Sequence, residues 1–116
     1  MLTRPIASTG EALPVIGCGT YVGFDTALTA ASRPKLAGVL AALRSAGGSV
    51  LDSSPMYGSA EATLGELLEG SPPRREMFVA TKVWTQGREA GIRQMETSFA
   101  LLRTPTIDLM QVHNLV

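Results

Sequence analysis

The sequence predicts an α/β fold with parallel strands, in the order βαβαβαβ behind a short β-hairpin. Three observations predict it. Four short apolar runs alternate with stretches whose apolar residues recur at helical spacing,. Gly, Pro and capping residues bound those stretches,. The third run, residues 77–82, is nearly continuously apolar, which suits a parallel strand covered on both faces,. Alternation at this spacing gives parallel strands joined by right-handed helical crossovers.

Residues 3–7 and 12–15 flank the turn-rich Ser8-Thr9-Gly10-Glu11 and read as the hairpin,. Residues 14–20 read as a short buried strand ending in glycines. Gly17 and Gly19 begin a dinucleotide fingerprint, but its third position falls on Val22 and no helical pattern starts there,. A Rossmann site is therefore rejected, and the glycines read as places where the backbone bends or approaches a neighbour closely. Residues 21–32 form a loop. Ser32 followed by Pro34 reads as a helix cap and a first-turn proline. Leu36, Val39, Leu40 and Leu43 share one helix face, and Gly47-Gly48 stops the helix,. Residues 49–52 make the second strand. Ser59 is placed to cap a second helix, in which Ala60, Leu64, Leu67 and Leu68 share a face; Gly70-Ser71-Pro72-Pro73 ends it. After the third strand a helix runs from about residue 87 to 102, with Ile92, Met95, Phe99 and Leu102 inward and Glu89 four residues before Arg93,. Thr104-Pro105 breaks it, and residues 107–112 form the fourth strand, ending at His113.

A chain of 116 residues with 45% apolar content can build one core, so residues 1–116 read as one domain,. Ten basic and ten acidic residues cancel, and Arg74-Arg75 is the densest basic spot. That balance argues against a nucleic-acid or membrane surface. Cys18 is the only cysteine, so no internal disulfide and no Cys-rich metal site can form; it reads as a small buried hydrophobe,. No run reaches the roughly 18 apolar residues of a membrane span. Met1 to Pro5 lack the apolar core of an export signal, which makes the expected location cytoplasmic,.

Three successive strands end in an ionisable residue: Asp52, Lys82 and His113. Tyr57 lies in the loop just past the first. Parallel strands put their C-terminal ends on one face, so these residues can converge there. Each alone has a plainer reading: Asp52 as a cap for a loop amide, Lys82 as a solvated strand end, Tyr57 as a packing aromatic, His113 as a core or terminal histidine. Ser53, Ser54 and Ser59 read as turn and cap residues, Asp108 as structural, and Trp84 as a pocket wall or a cover for the rim. Together the four suggest proton transfer. A phenol is a weak acid, and a nearby ammonium favours its phenolate form. Asp52 would hold Lys82, a neutral His113 would orient a carbonyl oxygen, and Tyr57 would donate to a developing alkoxide. A Schiff base on Lys82 fits part of the set, but it needs a neutral amine that Asp52 opposes. Asp52 and His113 are too few ligands for a metal, and no Gly-x-Ser-x-Gly nucleophile elbow occurs,.

The residues carry a family resemblance. Leu13-Pro14-Val15-Ile16-Gly17-Cys18-Gly19-Thr20-Tyr21 resembles the first barrel strand of an aldo-keto reductase, behind that family's hairpin plug. Leu51-Asp52-Ser53-Ser54-Pro55-Met56-Tyr57-Gly58-Ser59-Ala60-Glu61 is similar to its signature segment. Ala80-Thr81-Lys82-Val83-Trp84 and Ile107-Asp108-Leu109-Met110-Gln111-Val112-His113-Asn114 resemble its third- and fourth-strand segments. The resemblance runs over nearly the whole chain in the right order. It implies a catalytic tetrad of Asp52, Tyr57, Lys82 and His113, and reduction of small aldehyde or ketone substrates by NADP(H), with NAD(H) the alternative and no metal. It places Gly19, Thr20, Tyr21, Asp52 and Asn114 beside the cofactor, and Trp84 at the substrate pocket.

A (β/α)8 barrel of that family needs about 250 residues. Four strands therefore predict the N-terminal half of a TIM barrel behind a β-hairpin, without the later strands that hold the rest of the cofactor in the family. Open sheet edges would favour self-association. The expected activity belongs to the full-length parent, with this chain alone inactive; the rival is a non-catalytic fragment or binding module.

Overall fold

The computed structural model describes residues 1–70 and 74–114. Strands β1 (Thr3–Pro5) and β2 (Ala12–Pro14) pair antiparallel, Thr3 opposite Pro14 and Pro5 opposite Ala12. Then follow β3 (Cys18–Gly19), α1 (Ser32–Ser45), β4 (Val50–Asp52), α2 (Ala60–Leu68), a 3-10 turn at Arg74–Glu76, β5 (Phe78–Val83), α3 (Arg88–Leu101) and β6 (Leu109–Val112). The last four strands form one parallel sheet in the order β3-β4-β5-β6. The expected βαβαβαβ order behind a hairpin is thus present, as a partial barrel of four strands. The Ser71-Pro72-Pro73 stretch expected to end α2 lies outside the described residues. No helix among the described residues is long and apolar enough to cross a membrane.

Register decides which face does what. Leu51 sits opposite Val79, so both point to the same side of the sheet,. That side meets Leu40 of α1, Leu64 and Leu67 of α2, and Leu102 at the end of α3. Leu40, Leu51, Leu64 and Val79 are wholly shielded from solvent. Burying each such side chain stabilises the fold by roughly 1.5–3 kcal/mol. Asp52 lies one residue after Leu51, and Lys82 three after Val79. Both therefore point to the opposite face, where Lys82 is the register partner of Gln111,.

Several local expectations need correction. The buried strand expected over residues 14–20 is only Cys18–Gly19, and Val15 and Ile16 are exposed. β3 is an edge strand whose one partner, β4, is three residues long, so the ladder closes after two pairs. Cys18 is only partly buried, and that burial pushes its thiol up,. Ser32 is the first residue of α1 and caps nothing; its hydroxyl donates to the Ala27 carbonyl at 2.8 Å. The cap contact comes from Thr29 Oγ1, which accepts from the Ser32 N–H at 3.1 Å. Ser59 does precede α2, but its hydroxyl donates outward to Asp25 at 3.0 Å. Val39 and Phe99 are exposed, and the residue of α3 that is fully buried is Ser98.

Ser98 is buried because it serves a carboxyl. Glu61 of α2 is 2% exposed. One of its oxygens accepts from Thr81 Oγ1 at 2.5 Å and the other from Ser98 Oγ at 3.1 Å. The pair of bonds ties α2, β5 and α3 together directly behind Lys82. Burial pushes the Glu61 carboxyl up, against the pull of the two hydroxyls and of the Lys82 charge,. A native acid with a raised value binds more protons than its unfolded counterpart. Stability therefore falls as pH rises from the ordinary Glu value of 4.5, and the cost is fully present above the raised one,. Glu61→Gln keeps an acceptor for Thr81 and offers Ser98 a donor without a charge. Urea unfolding across pH is expected to show the variant gaining on the wild type as pH rises through that window. A pH-independent difference would mean that Glu61 does not titrate there.

Candidate functional site

The C-terminal ends of β3 to β6 and their loops bring the predicted residues to one place. Lys82 Nζ donates to Asp52 Oδ2 and to the Ser53 carbonyl, both at 2.7 Å. The ammonium lies 5.0 Å from the centre of the Tyr57 ring. His113 stands edge-on to Tyr57, ring centres 6.2 Å apart at 87°. The Trp84 and His113 ring centres lie 6.2 Å apart, and Tyr21 leans on Tyr57 at 5.0 Å. Asp52, Tyr57, Lys82 and His113 therefore cluster, although they come from three strand ends and a loop.

Local structure explains the placement. The Ser53 N–H continues the ladder by donating to the Ala80 carbonyl at 2.9 Å, then the chain turns away. The buried Ser54 Oγ accepts from the Met56 N–H at 3.1 Å, and the Tyr57 N–H returns to the Ser54 carbonyl at 3.0 Å. That tight turn lifts Tyr57 over the sheet. Gly58 follows with φ +58°, a left-handed conformation suited to glycine,. A side chain there would also run into the Asp25 carboxylate. Asp25 Oδ1 in turn accepts the Ser59 N–H at 2.8 Å, and these Ser59 bonds hold its carboxyl below the usual range,. The loop after β3 is thereby fastened to the loop that carries Tyr57.

Asp52 is an anchor with both oxygens engaged. Oδ2 takes Lys82, and Oδ1 accepts from Gln111 Nε2 at 3.0 Å. Lys82 is ion-paired and largely enclosed, with 12% of its side chain exposed. An amine held this way is not free to attack a carbonyl, which counts against the Schiff-base alternative. His113 is fixed from below by its N–H to the Val83 carbonyl at 3.0 Å, and Ser54 Oγ lies 3.4 Å from Nδ1.

The residues expected beside a cofactor divide. Gly19 has open space where a side chain would stand. Tyr21 is 66% exposed and presents a flat ring next to Tyr57. Asn114, at φ +55°, lines the cleft together with Val83, Trp84, Thr85, Gln86, Val112 and His113. Thr20 lies beneath them. It is fully buried, its N–H donates to the Asp52 carbonyl, and its own carbonyl accepts from Phe24. Its hydroxyl lies 2.8 Å from Ser53 Oγ and 3.1 Å from the Asp52 carbonyl. With its polar groups bonded internally, Thr20 secures the end of β4.

The cleft has a volume of about 570 Å³. That lies within the range of small-molecule sites. Its lining residues include no Lys or Arg. Among the described residues no three His, Cys, Asp or Glu side chains gather to hold a metal ion.

Gln111, Ser54 and Glu61 complete the surroundings and were not among the residues expected at the site from sequence. Gln111 had a usable signal: it shares strand parity with His113 and so points to the same face. Ser54 and Glu61 had none beyond their place in the quoted segment.

Residues 15–116 match the sequence model of the Aldo/keto reductase family. A 6-dehydroglucose reductase of Novosphingobium aromaticivorans is 33% identical over 95% of this chain and 40% of its own length. A Pseudomonas aeruginosa protein described as an aldo-keto reductase superposes with a TM-score of 0.81 at 33% identity, covering 97% of this chain and 46% of that one. An aldo/keto reductase of Klebsiella pneumoniae, solved with NADP and acetate, superposes at 0.75 with 30% identity over 90% of this chain and 36% of its own. The chain spans less than half the length of the curated relatives it matches.

Proposed function

The chain belongs to the aldo/keto reductase family, and on that premise we propose that it carries the proton-delivery side of NADP(H)-dependent carbonyl reduction, with Tyr57 as general acid. The observation that carries this reading is the Lys82 ammonium, held by Asp52 and the Ser53 carbonyl and set 5.0 Å from the Tyr57 ring. A phenol that gives up its proton becomes an anion, and a fixed cation beside it stabilises that charge as it forms. Asp52, braced by Gln111, keeps the cation from wandering. His113, on the cleft side, orients the carbonyl oxygen toward the Tyr57 hydroxyl. NADPH, when bound, supplies the hydride for the carbonyl carbon. Gly19, Tyr21 and Asn114 are the residues open to its nicotinamide end, and Trp84 walls the substrate cleft.

Three findings support the reading: the family match, the reductase name of the Novosphingobium relative, and the NADP in the Klebsiella structure. The substrate class is a small aldehyde or ketone. The sheet edges β3 and β6 are open, and Leu109 and Val112 on β6 are exposed. We propose that these edges pair with further strands or with a second copy.

Nucleotide titration tests the reading. Trp84 is the only tryptophan and lines the cleft, so its fluorescence reports directly on occupancy. NADPH is expected to quench it saturably, and, in the full-length parent, NADPH absorbance to fall when a small aldehyde is added. A chain that shows no saturable quenching is instead the non-catalytic module.

A further inference from the structure

The sheet ladder on β5 ends at Val83, whose carbonyl takes the N–H of His113. Trp84 comes next, past the end of the strand, yet both of its backbone polar groups are occupied. Its N–H donates to Gln94 Oε1 at 2.6 Å, and its carbonyl accepts from Gln94 Nε2 at 3.3 Å. One side-chain amide on α3 therefore does for Trp84 what a neighbouring strand would do. The rest of the loop is short: Gly87, at φ +85°, turns the chain into α3 four residues after Val83. A methyl group added at Gly91, one turn before Gln94, would come within 3.8 Å of the Val83 side chain, so the helix lies close to the strand end there. The base of α3 is thus seated on the strand end, and Gln94 is the point at which the helix grips the loop. The indole so held stands 6.2 Å from His113, across the cleft entrance.

We infer that Gln94 is a positioning residue for the cleft: by clamping both backbone groups of Trp84 it fixes the indole wall opposite His113 and so sets which carbonyl compounds the cleft accepts. The substrate part rests on the carbonyl-reductase reading; the clamp does not. Gln94 touches no reacting atom and acts through Trp84. The amide is needed because a single group must accept from an N–H and donate to a carbonyl. Alanine does neither. Glutamate accepts but cannot donate while ionised, and its protonated form regains the donor.

The test uses the whole chain and the lone tryptophan. In Gln94→Ala, acrylamide quenching of Trp84 is expected to rise by about twofold as a residue 44% exposed swings free,. Far-ultraviolet circular dichroism and the urea midpoint should stay near wild type, since α3 keeps its core contacts. Gln94→Glu, which keeps one of the two bonds, is expected to fall between wild type and Gln94→Ala at neutral pH and to return to the wild-type quenching constant in mild acid, each compared with wild type at the same pH. A residue that merely fills space would give no such acid rescue. In the full-length parent, KM for an aromatic aldehyde should rise in Gln94→Ala more than KM for a small aliphatic one, with kcat nearly unchanged. Unaltered quenching in Gln94→Ala, or altered quenching that acid does not restore in Gln94→Glu, overturns the clamp. Altered and acid-rescued quenching in a full-length parent that reduces no carbonyl supports the clamp and counts against the reductase reading instead.

Discussion

Tyr57→Phe in the full-length parent is expected to lower NADPH-driven carbonyl reduction by about 10²- to 10⁴-fold, the scale of a lost general acid. The loss should fall on kcat, because the hydroxyl acts on charge that appears only in the transition state. The remainder of the site should survive. Phe keeps the ring that packs 5.0 Å from Tyr21 and lies under the Lys82 ammonium. It also leaves Lys82 bonded to Asp52 and the Ser53 carbonyl. Nucleotide quenching of Trp84 is therefore expected to be unchanged. Retained kcat in Tyr57→Phe would remove Tyr57 as the acid. Loss of nucleotide binding together with activity would recast the residue as a binding aromatic.

What the sequence made legible, and what it hid, follows the range of the interaction concerned. Strand and helix order was legible because periodicity is local: Leu36, Leu40 and Leu43 of α1 and Leu64, Leu67 and Leu68 of α2 do line the core. The convergence of Asp52, Lys82 and His113 was legible because parallel strands share a C-terminal face. Apolar spacing misled where the face has no opposing layer among the described residues, as for Val39 and Phe99. Capping misled where a hydroxyl found a better partner at a distance, as Ser59 did with Asp25, 34 residues away. The least legible group is the polar bracing. Gln111 reaches Asp52 across 59 residues and Ser98 reaches Glu61 across 37. A Gln on a strand and a Ser inside a helix have no local signature, and only the assembled sheet and helix layer give them work.

Gly65→Ala shows how much depends on that assembled layer. Local propensity favours the change: alanine in a helix interior is better than glycine by about 1 kcal/mol. The structure opposes it. A side chain at Gly65 would run into the Leu101 carbonyl and come within 2.9 Å of the Leu102 backbone. These are backbone atoms at the end of α3, so no rotamer change makes room. α2 and α3 would have to separate, loosening the wholly buried Leu64, the nearly buried Leu102 and the Glu61–Ser98 bond that spans the two helices. Overpacking of this kind typically costs 1–3 kcal/mol, and a clash with main chain belongs at the upper end of about that range. The clash outweighs propensity, so Gly65→Ala is expected to destabilise by about 1–3 kcal/mol net, and Gly65→Val by more. Gly38 is the internal control. It lies in α1, and a methyl group added there would meet nothing within 4 Å, so Gly38→Ala should raise stability by up to about 1 kcal/mol,. Urea midpoints that move the same way in both variants would mean that propensity alone governs these helices. Midpoints that move in opposite directions identify the α2–α3 approach at Gly65 as the contact that sets the helix layer behind Lys82.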